Sequence, residues 1–287
     1  MLKFLKKRKP AHELKELFGD YELPHFPTVV MNLLSLLRDP SSPVAGIAAQ
    51  IETDPGMSVR VLRMVNSAAF GLRNELSNVQ HAVTLLGRSR LEALVVSVAV
   101  RDTLPPTDGL EFLRHFWLTA ARRASLASAL SQHVHPPTQS EAFTAGLLQD
   151  IAVPILAAKH GDKYGDKYGE VYRAWQDCEA NETRLEELEK EAFGYDHQTI
   201  GTLVAETWSL PEFLTHAISQ HHADINNSLP EVAFKLVSHI RDRAVDPTVD
   251  SLVDVCQKWV NLDRDVLHGL VTKSYEDAEE FCRTTQR

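Results

Sequence analysis

The sequence predicts an all-α protein, and three observations carry that expectation. Apolar residues recur at helical spacing along almost the whole chain. Proline and glycine punctuate the periodic segments at helix-length intervals. No segment alternates apolar and polar residues as a half-buried strand would.

Taken in order, Val29, Val30, Leu33, Leu34 and Leu37 fall on one helix face. Asp39-Pro40 stops that helix, because a proline ring disfavours helical backbone at the residue before it. Ser42-Pro43 predicts an N-cap followed by proline at the first helical position, opening a helix through about Glu52. Asp54-Pro55 repeats the device for a helix carrying Val59, Leu62, Arg63 and Val65. Asn66 to Gly71 reads as a helix end, with Phe70 inserted into core and Gly71 supplying a positive φ. Ser77 is placed to cap a helix over Val79–Leu86, and Gly87 to end it. Residues 88–101, apolar nearly all round, predict a buried central helix.

Leu104-Pro105-Pro106-Thr107-Asp108-Gly109 is the clearest internal boundary. Beyond it the spacing predicts helices over roughly 111–133, 140–158 and 163–179, with His135-Pro136-Pro137 between the first two and Pro154 favouring a kink or break in the second. The segment 182–192 reads as a helix whose acidic residues form a solvated face, and further helices are expected over 197–208, 211–221, 230–243, 248–260 and 263–281. The direct repeat Gly161-Asp162-Lys163-Tyr164, Gly165-Asp166-Lys167-Tyr168 reads as a capped, exposed helix start, too short for a solenoid. The organisation expected is a tail over 1–12 and a single domain over 13–285, with helical lobes at 13–104 and 108–285.

The 287 residues are 44% hydrophobic and 24% charged, ordinary for a globular domain, and the net charge of −9 argues against general nucleic-acid binding. Lys3, Lys6, Lys7, Arg8 and Lys9 stand apart; without them the balance is 25 basic to 39 acidic residues. This tail reads as solvated, with a weak membrane or RNA contact as the sharper alternative. Cys178, Cys256 and Cys282 are scattered and odd in number, which fits a reducing compartment and a cytoplasmic location. No stretch is expected to span a bilayer, and no signal-peptide core follows the basic start. No Gly-x-Ser-x-Gly elbow, Walker loop or Cys-x-x-Cys pair occurs, and His133 with His135 at a helix end makes a poor metal pair.

Several segments, in this order and spacing, closely resemble the HDOD (HD-related output) domain, a bacterial signalling module. They are Leu23-Pro24-His25-Phe26-Pro27, Asp54-Pro55-Gly56-Met57, Asn66-Ser67-Ala68-Ala69-Phe70-Gly71 and Ala82-Val83-Thr84-Leu85-Leu86-Gly87. Further along come Phe116-Trp117, Ala145-Gly146-Leu147-Leu148, Phe193-Gly194-Tyr195-Asp196-His197, Trp208-Ser209-Leu210-Pro211 and Ala217-Ile218-Ser219-Gln220-His221-His222. The resemblance covers roughly residues 14–280. It implies an HD-domain-like multi-helix fold, an N-terminal helical lobe packed on an HD-like lobe, degenerate relative to the HD and HD-GYP metal phosphohydrolases.

An active HD hydrolase gathers a first His, an adjacent His-Asp pair and a later Asp on one or two metals, which lower the pKa of a bound water and polarise a phosphate. By the resemblance, the first position falls at Thr119, the pair at Gln149-Asp150 and the late Asp near His239, while the Gly and Lys that often follow the pair are Ala152 and Val153. A neutral amide is a poor substitute for imidazole at a transition metal. Asp150, His197, His221 and His222 survive, and with Thr119, Gln149 and His239 they form the candidate remnant pocket. No catalytic residue, metal ligand or cofactor is assigned, although a mononuclear site on Asp150, one or two histidines and waters is chemically allowed. His221 and His222, successive on a helix, would point about 100° apart and would not easily face one metal.

The function expected is therefore a non-catalytic regulatory module that binds signalling proteins in trans, with a nucleotide second messenger as a further ligand class. No receiver, GGDEF or EAL-like segment accompanies the domain. The alternative is a divergent metal-dependent phosphohydrolase or phosphodiesterase acting on nucleotides or cyclic dinucleotides.

Overall fold

The first apolar stripe forms the helix it predicts. α2 (Thr28–Arg38) buries Val30, Leu33, Leu34 and Leu37 and leaves Val29 half-buried. With α3 (Val44–Glu52) and α4 (Pro55–Val65) it packs against α5 (Val79–Thr103), closing a core of Ile47, Ile51, Val61, Val65 and Leu94. The computed structural model describes residues 10–19, 23, 25–66, 75–104, 111–162, 165–177, 185–223 and 249–285. The helix expected over 230–243, the Phe70-Gly71 turn, residues 105–109 of the boundary, the basic tail and Cys178 lie outside them.

The helix starts show how the chain uses its capping residues. Asp54 Oδ1 accepts from the Met57 N–H at 3.0 Å, as the Asp-Pro device requires. At α3 the register is shifted by one: Pro43 itself stands at the cap in extended conformation, and the Ser42 hydroxyl contacts Asp39 Oδ2 at 3.3 Å. At α5 the cap is Asn78, not Ser77, with Oδ1 accepting from His81 N–H at 2.7 Å; Ser77 stands one residue too early. Gly87 breaks α5 at φ 74° and ψ 173°, conformations a side chain would strain, and separates Val79–Leu86 from the buried stretch behind it. The Arg88 guanidinium that follows donates to the carbonyls of Leu36 (3.2 Å) and Asp39 (2.7 Å), tying the break to the α2–α3 turn.

The rest of the chain wraps around α6 (Glu111–Val134) and α7 (Gln139–Leu148). A short 3-10 turn at Pro136–Thr138 leads into α7. The helix expected over 140–158 is two, α7 and α8 (Ala152–His160), because the chain turns at 149–151. Pro154 falls in the first turn of α8, where its missing N–H leaves no unmet bond, so the break precedes it. The stretch Pro136–His160 is long and apolar enough by composition to cross a membrane, contrary to expectation, but 89% of its apolar window is buried inside the protein. The Gly-Asp repeat also departs from expectation. Gly161–Asp162 (β1) pairs antiparallel with Gly165–Asp166 (β2), and α9 (Lys167–Asp177) begins only afterwards, since Gly and Asp are poor helix formers.

α10 (Leu185–Phe193), α11 (His197–Thr207) and α12 (Glu212–Gln220) follow, then α13 (Val249–Gln257) and α14 (Arg264–Thr285), which lies along α6. α1 (Pro10–Phe18) packs on α11: Phe18 stacks on Tyr195 at 5.9 Å, and Lys159 Nζ donates to the Leu17 carbonyl at 2.8 Å.

Small residues make the α6–α7 crossing close. α6 buries Ala120, Ala121, Ala124, Ser125, Ala127 and Ser128. A Cβ added at Gly146 would stand 2.8 Å from the Arg123 carbonyl oxygen and 2.9 Å from the Ala124 nitrogen, both rigid backbone. Gly146→Ala should therefore force the helices apart and destabilise the protein by about 1–3 kcal/mol, read as a fall in the urea midpoint without a change in slope. An unchanged midpoint would contradict the crossing.

Candidate functional site

Helix ends, rather than helix faces, bring the site together. Asp150 stands in the turn between α7 and α8, its carbonyl accepting from Val153 N–H at 2.9 Å as α8 begins. That places its carboxylate at a helix N-terminus, where negative charge is favoured. His197 is the first residue of α11, whose N-cap Asp196 accepts from Thr199 N–H at 2.7 Å and pairs with Lys190. His221 and His222 follow the last residue of α12, Gln220. Arg123 reaches in from α6, and Glu186 and Glu189 from α10.

The four surviving donors converge. Single ligand atoms of Asp150, His197, His221 and His222 all lie within 4.8 Å of one another. His197 Nε2 is 2.9 Å from His222 Nε2 and 3.3 Å from His221 Nε2. Asp150 Oδ1 is 2.9 Å from His221 Nε2 and 3.4 Å from His197 Nε2. Its other oxygen, Oδ2, is held by the Arg123 guanidinium, and both residues are buried, at 6% and 7% exposure. The expectation that His221 and His222 cannot easily face one point fails: His221 keeps helical backbone angles as the cap of α12, yet the two rings lie 4.0 Å apart and both reach the cluster.

Outer partners set the orientation of the rings. Glu189, fully buried, accepts at Oε2 from the His197 backbone N–H (2.7 Å) and from Nδ1 (2.6 Å), while the Tyr168 hydroxyl donates to Oε1. His221 Nδ1 stands 2.8 Å from the Ile218 carbonyl, which can only accept, so Nδ1 carries the proton and Nε2 faces the cluster. His222, with 26% of its side chain exposed, is the most open donor, and Glu186 lies 3.7 Å from its Nε2.

The charges follow. Burial pushes the Asp150 carboxyl up, but Arg123, His221 and His197 together hold it well below the usual range. Burial opposes a charge on His197, yet the Glu189 carboxylate, its hydrogen bond and Asp150 outweigh that and raise it to about 9. Burial, then repulsion from His221 and His197, lowers His222 to about 2. Burial and Glu189 hold the Tyr168 hydroxyl protonated well above its ordinary value. Without metal, a charged His197 thus donates to a neutral His222 across the cluster.

Thr119 is buried on α6. Gln149 is buried with neither amide atom hydrogen-bonded, and His239 lies outside the described residues. Four participants escaped the sequence analysis. Arg123 follows Thr119 by one helical turn on the same face, a charge within a run of small buried residues. Glu186 and Glu189 are buried, not on a solvated face. Tyr168 closes the repeat read as an exposed helix start and is fully buried. Chemically, three imidazole nitrogens and one carboxylate oxygen can hold a single divalent ion. Thr119 and Gln149 add no imidazole or carboxylate for a second.

Two outcomes are expected. Arg123→Gln leaves a buried carboxylate without its counter-charge and should cost about 3–5 kcal/mol in urea unfolding, with Asp150→Asn added to it restoring part of the loss; strictly additive losses would contradict the pairing. In chelator-treated protein, stability should peak near pH 6.5, the ordinary histidine value. Above it the unfolded chain has released the His197 proton that the fold keeps, so stability declines and that contribution is gone once the pH passes about 9. Below it the unfolded chain protonates His222 while the fold does not, so stability declines again. Urea unfolding across this range checks the peak, and His197→Gln should flatten its alkaline side.

Comparison with known proteins agrees with this architecture. A crystal structure of a candidate phosphohydrolase from Shewanella amazonensis SB2B superposes with a TM-score of 0.70 at 23% identity, covering 96% of this chain and 97% of that one. A candidate signal transduction protein of Marinobacter aquaeolei VT8 superposes with a TM-score of 0.66 at 16% identity, over 97% of this chain and 65% of the other. At such identities the likeness is one of fold. An uncharacterized protein of Treponema pallidum (strain Nichols) is 23% identical over 202 residues, 70% of this chain, and the match spans 38% of that relative's length. The model of the HDOD domain matches residues 23–224, and this chain belongs to the HDOD domain family.

Proposed function

We propose that this chain is a non-catalytic signal-transduction module, which works by binding a signalling protein in trans and keeps the HD-type pocket without its hydrolytic chemistry. The observation that carries the reading is the buried Arg123–Asp150 pair. Hydrolysis on this fold needs the aspartate, beside a histidine, to hold an ion that activates water. Here one oxygen of Asp150 is taken by the Arg123 guanidinium, which leaves a single carboxylate oxygen to face the pocket. The neighbouring residue is Gln149, a buried amide without partners. The signalling half of the reading is supported by membership of the HDOD family and by the fold shared with a candidate signal transduction protein. A nucleotide second messenger is the further ligand class it admits.

One observation favours a second reading, a divergent metal-dependent phosphohydrolase or phosphodiesterase acting on nucleotides or cyclic dinucleotides: the four converging donors are the residue types such an enzyme uses. A single screen separates the two. Purified protein, offered phosphomonoesters, nucleotides and cyclic dinucleotides with Mn²⁺, Mg²⁺ or Fe²⁺, should show no turnover above the metal-only rate. Turnover abolished by Asp150→Ala would establish the enzyme instead. Affinity capture with the full chain from its native cell, read by mass spectrometry, should then return a signalling protein.

A further inference from the structure

We infer that Asp150, His197, His221 and His222 form a closed, four-coordinate site for one divalent d-block ion of the Zn²⁺ class, which pins the ends of α11 and α12 to the α7–α8 turn. The inference rests on the non-catalytic reading in one respect, that no coordination position is kept for a reacting water.

Donor geometry comes first. Bonds of about 2.0–2.1 Å to a tetrahedral ion put neighbouring donors about 3.3 Å apart. Four of the donor separations are 2.9, 2.9, 3.3 and 3.4 Å. The cluster is thus near the size of a coordination shell before any ion enters. Hydrogen bonding within the protein accounts for it only in part, because one His197 Nε2–H cannot serve His222, His221 and Asp150 Oδ1 together, and all of them lie within 3.4 Å of it.

The outer partners point the same way. A metal-binding histidine characteristically donates its second ring nitrogen to a carboxylate or a backbone carbonyl, which fixes the tautomer and aims the other lone pair at the ion. His197 has Glu189 in that position and His221 has the Ile218 carbonyl. Glu189 is itself held by the Tyr168 hydroxyl. A merely structural histidine needs one such partner, not two rings oriented by outer partners onto a shared point.

Charge and donor type select the ion. With the three rings neutral, as ligation requires, Asp150, Glu186 and Glu189 face the cluster with three negative charges against the single positive charge of Arg123. A divalent ion cancels the excess. Three imidazoles and one carboxylate suit Zn²⁺ and its neighbours, whereas Mg²⁺ and Ca²⁺ require oxygen-rich shells. Arg123 has a defined part here. By holding Asp150 Oδ2 it restricts the carboxylate to one-point ligation through Oδ1, and it supplies in fixed form the positive charge that a second ion would otherwise bring. The partly exposed His222 is the entry side.

The test uses the full-length chain stripped with chelator and titrated with Zn²⁺ alone, with elemental analysis of the dialysed product and Co²⁺ as a spectroscopic probe. One Zn²⁺ per chain is expected, with intense visible Co²⁺ bands of a tetrahedral site and no displacement by excess Mg²⁺. His222→Ala, at the most exposed donor, should keep the fold by circular dichroism, lose the intense Co²⁺ bands and weaken Zn²⁺ at least about 100-fold. Glu189→Gln, with all four donors in place, should weaken Zn²⁺ about 10–100-fold. Substoichiometric Zn²⁺, weak octahedral Co²⁺ bands, or affinity unchanged in His222→Ala would overturn the site. The phosphatase screen run on the same Zn²⁺-loaded protein keeps the two ideas apart. Stoichiometric Zn²⁺ without turnover supports both, turnover overturns the closed coordination together with the non-catalytic reading, and absence of both metal and turnover overturns the site alone.

Discussion

The ion pair between Arg123 and Asp150 joins the two parts of this protein that matter most, its close-packed centre and its polar pocket. The guanidinium arises from α6 at the level where α7 crosses so tightly that Gly146 is in backbone contact with Arg123 itself. The carboxylate belongs to the turn that ends α7 and begins α8. A buried charge without a partner costs several kcal/mol, so neither residue is tolerable alone. The pair and the close crossing therefore meet at one residue, Arg123, which fixes where the pocket lies relative to the packed centre.

Around this pair the protein builds its polar centre from helix termini. The start of α8 presents Asp150, the start of α11 presents His197, and the residues after α12 present His221 and His222. Termini suit the purpose because their backbone groups are not all committed within the helix. Glu189 secures the arrangement from behind, accepting from both the backbone and the ring of His197. The histidines consequently differ in character despite being neighbours: one is held charged by carboxylates, another kept neutral by burial and by the first.

Much of this was legible in the chain. The apolar stripe of α2, the Asp54-Pro55 start and the Gly87 break follow from local rules that act over a few residues. So did the survival of Asp150, His197, His221 and His222 as a set. Less visible were Arg123, Glu186, Glu189 and Tyr168, whose roles depend on which helix lies opposite. Glu189 looks like any acid on an amphipathic helix until α9 and α11 enclose it. The Gly-Asp repeat misled for a related reason: its two Gly-Asp pairs bond to each other rather than opening the helix that follows.

The sequence by itself determined the helical class, many helix boundaries and the family, because periodicity, capping and residue identity are local properties. Only the tertiary structure decided that His221 and His222 converge on His197, that a guanidinium occupies one side of Asp150, and that two outer partners aim the rings at a shared point. Those facts depend on where α12 stops and how closely α6 and α7 approach. Both are set by packing among residues far apart in the chain, for which no local pattern carries a signal.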